Sequence, residues 1–157
     1  MGSNILVFIL IGFLAQMVDG ALGMAYGVSA TTFLLTFGVS PAAASASVHT
    51  AEIFTTAVSG LAHLRFGNVD KKLVIKLLIP GIIGGVSGAY LLTSVPGNLI
   101  KPFVSGYLVM MGLVILWKAF RHNGKTETRV KRVVPLGFAG GFFDAIGGGG
   151  WGPIVTS

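Results

Sequence analysis

The sequence has no cysteine, which excludes disulfides, thiolate metal sites and cysteine nucleophiles together. Charge is nearly as scarce. Asp, Glu, Lys and Arg make up 10% of the 157 residues, where globular domains carry about a quarter. With 53% hydrophobic residues and a mean hydropathy of +0.84, such a chain cannot cover a water-soluble surface. The expected class is an all-α integral membrane protein, a polytopic helical bundle, because helices satisfy every backbone group within lipid. The N-terminal run has no basic segment or small-residue cleavage site, so no removable signal peptide is read. Leu6 stands where N-myristoylation wants Ser or Thr.

The charge that is present is mostly basic: 11 Lys and Arg against 5 Asp and Glu. Most of the basic residues fall in two hydrophilic stretches, 65–76 and 118–132. That distribution reads as cytoplasmic loops flanking membrane helices, with acidic headgroups as the modest extra partner, and not as a nucleic-acid surface.

Glycine is abundant, at 24 residues, and its placement repeats. Residues 12–32 laid on 137–157, at a constant offset of 125, pair six identities without a gap: Gly12 with Gly137, Phe13 with Phe138, Asp19 with Asp144, Gly23 with Gly148, Gly27 with Gly152, Thr31 with Thr156. Random pairing at this composition gives about one or two. Tyr26 meets Trp151, so an aromatic recurs as well. A carboxylate followed by helix-breaking glycines, twice in apolar sequence, predicts interrupted membrane helices around a central site.

The chain divides accordingly into a first repeat, 1–132, and a truncated start of a second, 133–157. The first holds a glycine-broken helix at about 4–37, helices at about 41–65, 72–93 and 99–118, and the basic loop 118–132. Gly38 suits a helix stop, and Ser40 before Pro41 a helix start. By analogy with the first repeat, the second needs about ten more residues to complete its broken pair. If 4–37 crosses once, the repeats are parallel; if it is a re-entrant hairpin, they are inverted.

The candidate site follows from these breaks: Asp19, Gly20, Gly23, Met24, Tyr26 and Gly27 from the first, Asp144, Gly147, Gly148, Gly149, Gly150 and Trp151 from the second. A half-helix N-terminus offers unpaired N–H donors, and glycine lets an anion approach them. Gly147 to Gly152 also spells GxGxxG, but no strand precedes it, so a dinucleotide is not expected. The glycines could equally serve packing alone. Each aspartate either caps the half-helix after it or takes part in proton or ion coupling.

The 41–65 helix adds a polar stripe, Ser45, His49, Glu52, Thr56, Ser59 and His63, on one face. His49, Thr50 and Glu52 join the candidate site, as a substrate or proton path or as a buried structural pair. His63 lies about 21 Å along the helix from His49, too far to share an ion. No metal, no cofactor and no enzymatic chemistry are expected from these residues.

GFLAQMVDGALGMAYG, PAAASASVHTAEIFTTAVSG, HLRFGNVD and GFFDAIGGGGWGP, in that order, resemble the TauE/SafE sulfite exporter family over essentially the whole chain. The resemblance implies a multi-pass inner-membrane permease built from two related halves, with the bilayer and a small sulfur-containing anion, sulfite or a sulfonate, as partners. It departs from the family in length, since most of a second half is absent, and a homo-oligomer of two such chains could replace it. The rival readings are a permease for other small anions or metabolites, and a membrane scaffold or subunit.

Overall fold

A computed structural model describes residues 2–22, 25–67, 69–120, 133–149 and 151. The described residues form six α-helices and no strand: α1 Gly2–Leu22, α2 Tyr26–Thr36, α3 Pro41–Arg65, α4 Lys71–Ser94, α5 Gly97–Phe120 and α6 Val133–Gly147. The chain is thus all-α. The basic loop after Phe120 lies outside the described residues, as do Gly23, Met24, Gly150 and Gly152.

Local chemistry sets the ends of these helices. α1 runs through Asp19 and Gly20 to Leu22, beyond the break expected near residue 18, since one internal glycine costs only about 1 kcal/mol. α2 stops at Gly38, whose φ of 85° suits glycine. There the Gly38 N–H donates to the Leu35 carbonyl at 3.1 Å and the Val39 N–H to the Leu34 carbonyl at 3.0 Å, a Schellman closure. Ser40 then caps α3, its hydroxyl oxygen accepting from the Ala43 N–H at 3.4 Å with Pro41 at the first helical position. Asp70 caps α4 by accepting from the N–H groups of Lys72 and Leu73, at 2.9 and 3.2 Å.

α4 and α6 make the closest helix pair. Gly81, Gly84 and Gly88 are buried on α4 and face buried Gly137 and Gly141 on α6. Without side chains between them the two backbones touch, as small residues permit in membrane helices. Beside this pair, Val28, Leu35, Ala44, Leu92, Val104, Leu108, Met111 and Ile115 form one apolar core joining α2, α3, α4 and α5. Ala15, Ala30 and Val48 form a smaller one between α1, α2 and α3.

Outside these seams much of the surface is apolar. Phe54 is 71% exposed, Phe103 78% and Phe120 86%, areas that water disfavours at about 25 cal/mol per Å² and lipid does not. α4 and α5 are long and apolar enough to cross a membrane, and Ile5–Ala21 and α6 are shorter apolar helices. α3 differs from the rest. Ser45 is buried and His49 and Glu52 are half-buried, but Thr56, Ser59 and His63 further along the same stripe are exposed, as are Ile53, Val58 and Leu61 beside them. The stripe is therefore covered only in its first half, where α6 lies against it.

Candidate functional site

The two glycine-rich breaks meet. Gly27, in the first turn of α2, lies against Gly148, just after α6, so closely that a Cβ on Gly27 would run into the Gly148 carbonyl. Gly148 adopts φ 69°, a left-handed conformation that turns the chain off the end of α6. Its N–H donates to the Asp144 carbonyl at 2.6 Å. Gly147 is wedged against the Tyr107 ring and Gly149 against Val28, with a Cβ on either coming within 2.6 and 2.5 Å respectively.

Asp19 has a defined task at this junction. From the last turn of α1 its Oδ1 accepts from the N–H groups of Ala25 at 2.7 Å and Tyr26 at 3.0 Å. These are orphan donors at the start of α2, so the carboxylate closes the break and sits at the positive end of the helix dipole. The same bonds occupy two N–H groups that an anion would otherwise use.

α3 supplies the facing wall. The buried Ser45 hydroxyl donates to the Ala145 carbonyl at 2.6 Å, tying α3 to the last turn of α6. Ser45→Ala is expected to lower stability by about 1 kcal/mol and to weaken this tie, read as a lower melting temperature in detergent. One turn on, His49 Nδ1 lies 2.9 Å from the Ser45 carbonyl. A carbonyl only accepts, so Nδ1 carries the proton. Nε2 then faces Asp144 Oδ2 at 3.4 Å across the α3–α6 seam. Glu52, one turn further along α3, completes a group in which one ligand-type atom each of His49, Glu52 and Asp144 lies within 4.8 Å of the others.

Two clefts border this group. One, of about 390 Å³, is lined by Gln16, Asp19, Tyr26, Gly27, Glu52, Thr55, Thr56, Ser59, Asp144, Gly148 and Trp151. The other, of about 490 Å³, contains His49, Gly81, Gly85, Asp144 and Trp151 in its wall. Asp144 and Trp151 belong to both. A larger groove of about 680 Å³ between α2 and α5 holds Lys101 but none of the candidate residues.

The structure thus brings together Asp19, Tyr26, Gly27, His49, Glu52, Asp144, Gly148 and Trp151, with Gly147 and Gly149 packed behind them. It leaves Thr50 and Gly20 outside. Thr50 is exposed and its hydroxyl donates to the Ala46 carbonyl at 2.7 Å in its own helix; nothing lies within 4 Å of a Cβ on Gly20. Gly23, Met24 and Gly150 fall outside the described residues. Gln16 and Thr55 line the first cleft without having been singled out. Gln16 had a legible signal, being a polar residue three before Asp19 on an otherwise apolar helix. Tyr107 gave none, yet its hydroxyl is buried with no hydrogen-bond partner among the described residues.

An all-α membrane protein with a polar, acid-lined cleft where two broken segments converge is the class that the fold and site define. The chain belongs to the sulfite exporter TauE/SafE family, whose sequence profile matches residues 8–157. It is 49% identical over 160 residues to a probable membrane transporter protein, YtnM, of Bacillus subtilis (strain 168), an alignment spanning 98% of this chain and 53% of that relative. A second probable membrane transporter protein of the same organism, YdhB, is 28% identical over 159 residues, spanning 96% of this chain and 63% of the relative. The chain thus spans little more than half the length of these curated relatives. No solved structure matches it.

Proposed function

We propose that the chain forms part of a multi-pass inner-membrane transporter for sulfite or small organosulfur anions, moved outward by alternating access. The observation that carries the reading is the convergence of the two breaks, Gly27 upon Gly148, beside a cleft walled by Asp19, Glu52, Asp144 and Trp151. Interrupted helices place polar groups at membrane depth only where they line a cavity, and transporters bind substrate at such points. Family membership and the names of the two relatives support the transporter class.

The proposed division of the chain, a first repeat over 1–132 and the start of a second over 133–157, fits the same geometry. The offset of 125 carries Asp19 onto Asp144, and both line the cleft. Three carboxylates near the cleft would repel an anion. The anion therefore travels with a positive charge, and coupling to a cation belongs to the proposal. No catalytic step is assigned, since the described cleft has no nucleophile poised beside a base.

The test is the melting temperature of the purified protein against sulfite, thiosulfate, sulfoacetate, sulfate, phosphate and acetate. A ligand of the folded state raises it, adding about 2.7 kcal/mol of stability at a hundredfold excess over its dissociation constant. Selective stabilisation by a sulfur oxyanion is the expected result. A well-folded protein indifferent to the whole panel would remove the substrate assignment and favour a scaffold role.

A further inference from the structure

We propose that His49, Glu52 and Asp144 bind one divalent transition-metal cation of the Zn²⁺, Mn²⁺ or Co²⁺ type. The proposal deepens the transporter reading, whose anion needs a positive charge at this place, but the binding site stands on its own geometry.

The tautomer of His49 is the first argument. Because Nδ1 donates to the Ser45 carbonyl, the neutral ring presents a lone pair at Nε2. That atom is shielded from solvent and makes no hydrogen bond among the described residues, and it lies 3.4 Å from a carboxylate oxygen of Asp144. A lone pair facing an anion is repulsive unless a proton or a metal cation joins them. The ring N–H held by a backbone carbonyl, with the other nitrogen turned to a cluster of carboxylates, is the arrangement that orients metal-binding histidines.

The second argument is the ligand set and its reach. One imidazole nitrogen and two carboxylate oxygens, all within 4.8 Å of one another, come close to the spread of about 4.4 Å allowed by bonds of about 2.2 Å to one ion. Small side-chain rotations close the rest. Imidazole with carboxylate selects first-row divalent ions over Na⁺ or Mg²⁺, which prefer all-oxygen sites. His49 and Glu52 share one face of α3, so the helix itself sets their spacing, and Asp144 is delivered by α6.

The third argument is charge and hydrogen bonding around the cluster. No Lys or Arg is among the residues lining either bordering cleft. Thr56 spends its hydroxyl proton on the Glu52 carbonyl at 2.5 Å, and Thr55 donates to the same oxygen at 3.3 Å. Both therefore present lone pairs rather than donors to the cleft. With the α2 N–H groups of Ala25 and Tyr26 held by Asp19, the charge on the cleft wall is negative, from Asp19, Glu52 and Asp144, beside the neutral donors Gln16, Tyr26, Ser59 and Trp151. Such a place suits a cation, and a bound divalent ion would cancel the two carboxylates it touches.

The test uses the protein in detergent, freed of any affinity tag and stripped with a chelator, then titrated with Co²⁺ and followed by its visible d–d absorption. One Co²⁺ per chain, displaced by Zn²⁺, is expected. Glu52→Gln and His49→Gln should each weaken binding at least tenfold with unchanged helical circular dichroism, and His63→Gln should leave it unchanged. Absence of Co²⁺ binding by the folded protein overturns the site, as does binding that survives in the Glu52→Gln, His49→Gln double variant. So does ¹⁵N NMR showing protons on both nitrogens of His49 in the presence of Co²⁺, the mark of a simple His–Asp ion pair. Cobalt bound without stabilisation by any sulfur anion would keep this site and discard the substrate assignment; the reverse result would do the opposite.

Discussion

Replacing Gly84 or Gly141 by alanine is expected to separate α4 from α6 and lower stability by about 3 kcal/mol or more, at the upper end of overpacking effects. A Cβ on Gly84 would run into the Phe138 carbonyl, and one on Gly141 into the Gly81 carbonyl. Both obstacles are helix backbone, which cannot rotate aside as a side chain does. Only translation of a whole helix relieves the overlap, and it opens every contact along the seam. Gly106 and Gly112 on α5 provide the comparison, since a Cβ on either meets nothing within 4 Å. Alanine there should be neutral or stabilising by up to about 1 kcal/mol through helix propensity. Melting of the four variants in detergent decides the matter, and Gly84→Ala or Gly141→Ala melting with the α5 pair would refute the close seam.

Asp19→Ala is expected to destabilise the protein by about 2–4 kcal/mol, and Asp19→Asn by much less. Alanine leaves the Ala25 and Tyr26 N–H groups without an acceptor, each a loss of about 1–3 kcal/mol in apolar surroundings. Asparagine keeps one oxygen in the place of Oδ1 and can hold the same two donors. Amide exchange at residues 25 and 26 together with the melting temperature reads the difference. Equal damage from both substitutions would mean that the charge, rather than the acceptor geometry, holds α2 in place.

The helical class and several helix ends were legible because they rest on local signals: Ser40 before Pro41, Gly38 beyond α2, and the apolar runs of α4 and α5. The recurrence of Asp19 and Asp144 predicts that the two carboxylates lie near one another, and both line one cleft. What stayed hidden was which partner each would meet. Asp19 turns back onto the helix that follows it, whereas Asp144 reaches across to His49, a residue 95 positions earlier. A spacing rule sees neighbours along one helix, so α3 alone offered His49 and Glu52 as a pair. Asp144 arrives beside them from α6, whose place is set by the glycine seam with α4. Thr50 shows the converse: it follows His49 in the chain, but a helix turns about 100° per residue and carries it off the face that meets α6.

The sparse apolarity of α3 bears on how the protein is made. A crossing of the bilayer by α3 would carry His49 and Glu52 into lipid on a helix with few apolar residues to favour it, and an ionised side chain near the bilayer centre costs about 2.5–3.5 kcal/mol even on lenient insertion scales. Their partner Asp144 lies about 90 residues downstream, roughly 5–18 s of synthesis at about 5–20 residues per second. On that topology the nascent chain would hold α3 in or beside the membrane without Asp144 through that interval. Retention of α3 at the edge of the insertion machinery until α6 emerges would avoid that cost, and slowing translation between the two should then expose the chain to quality-control proteases.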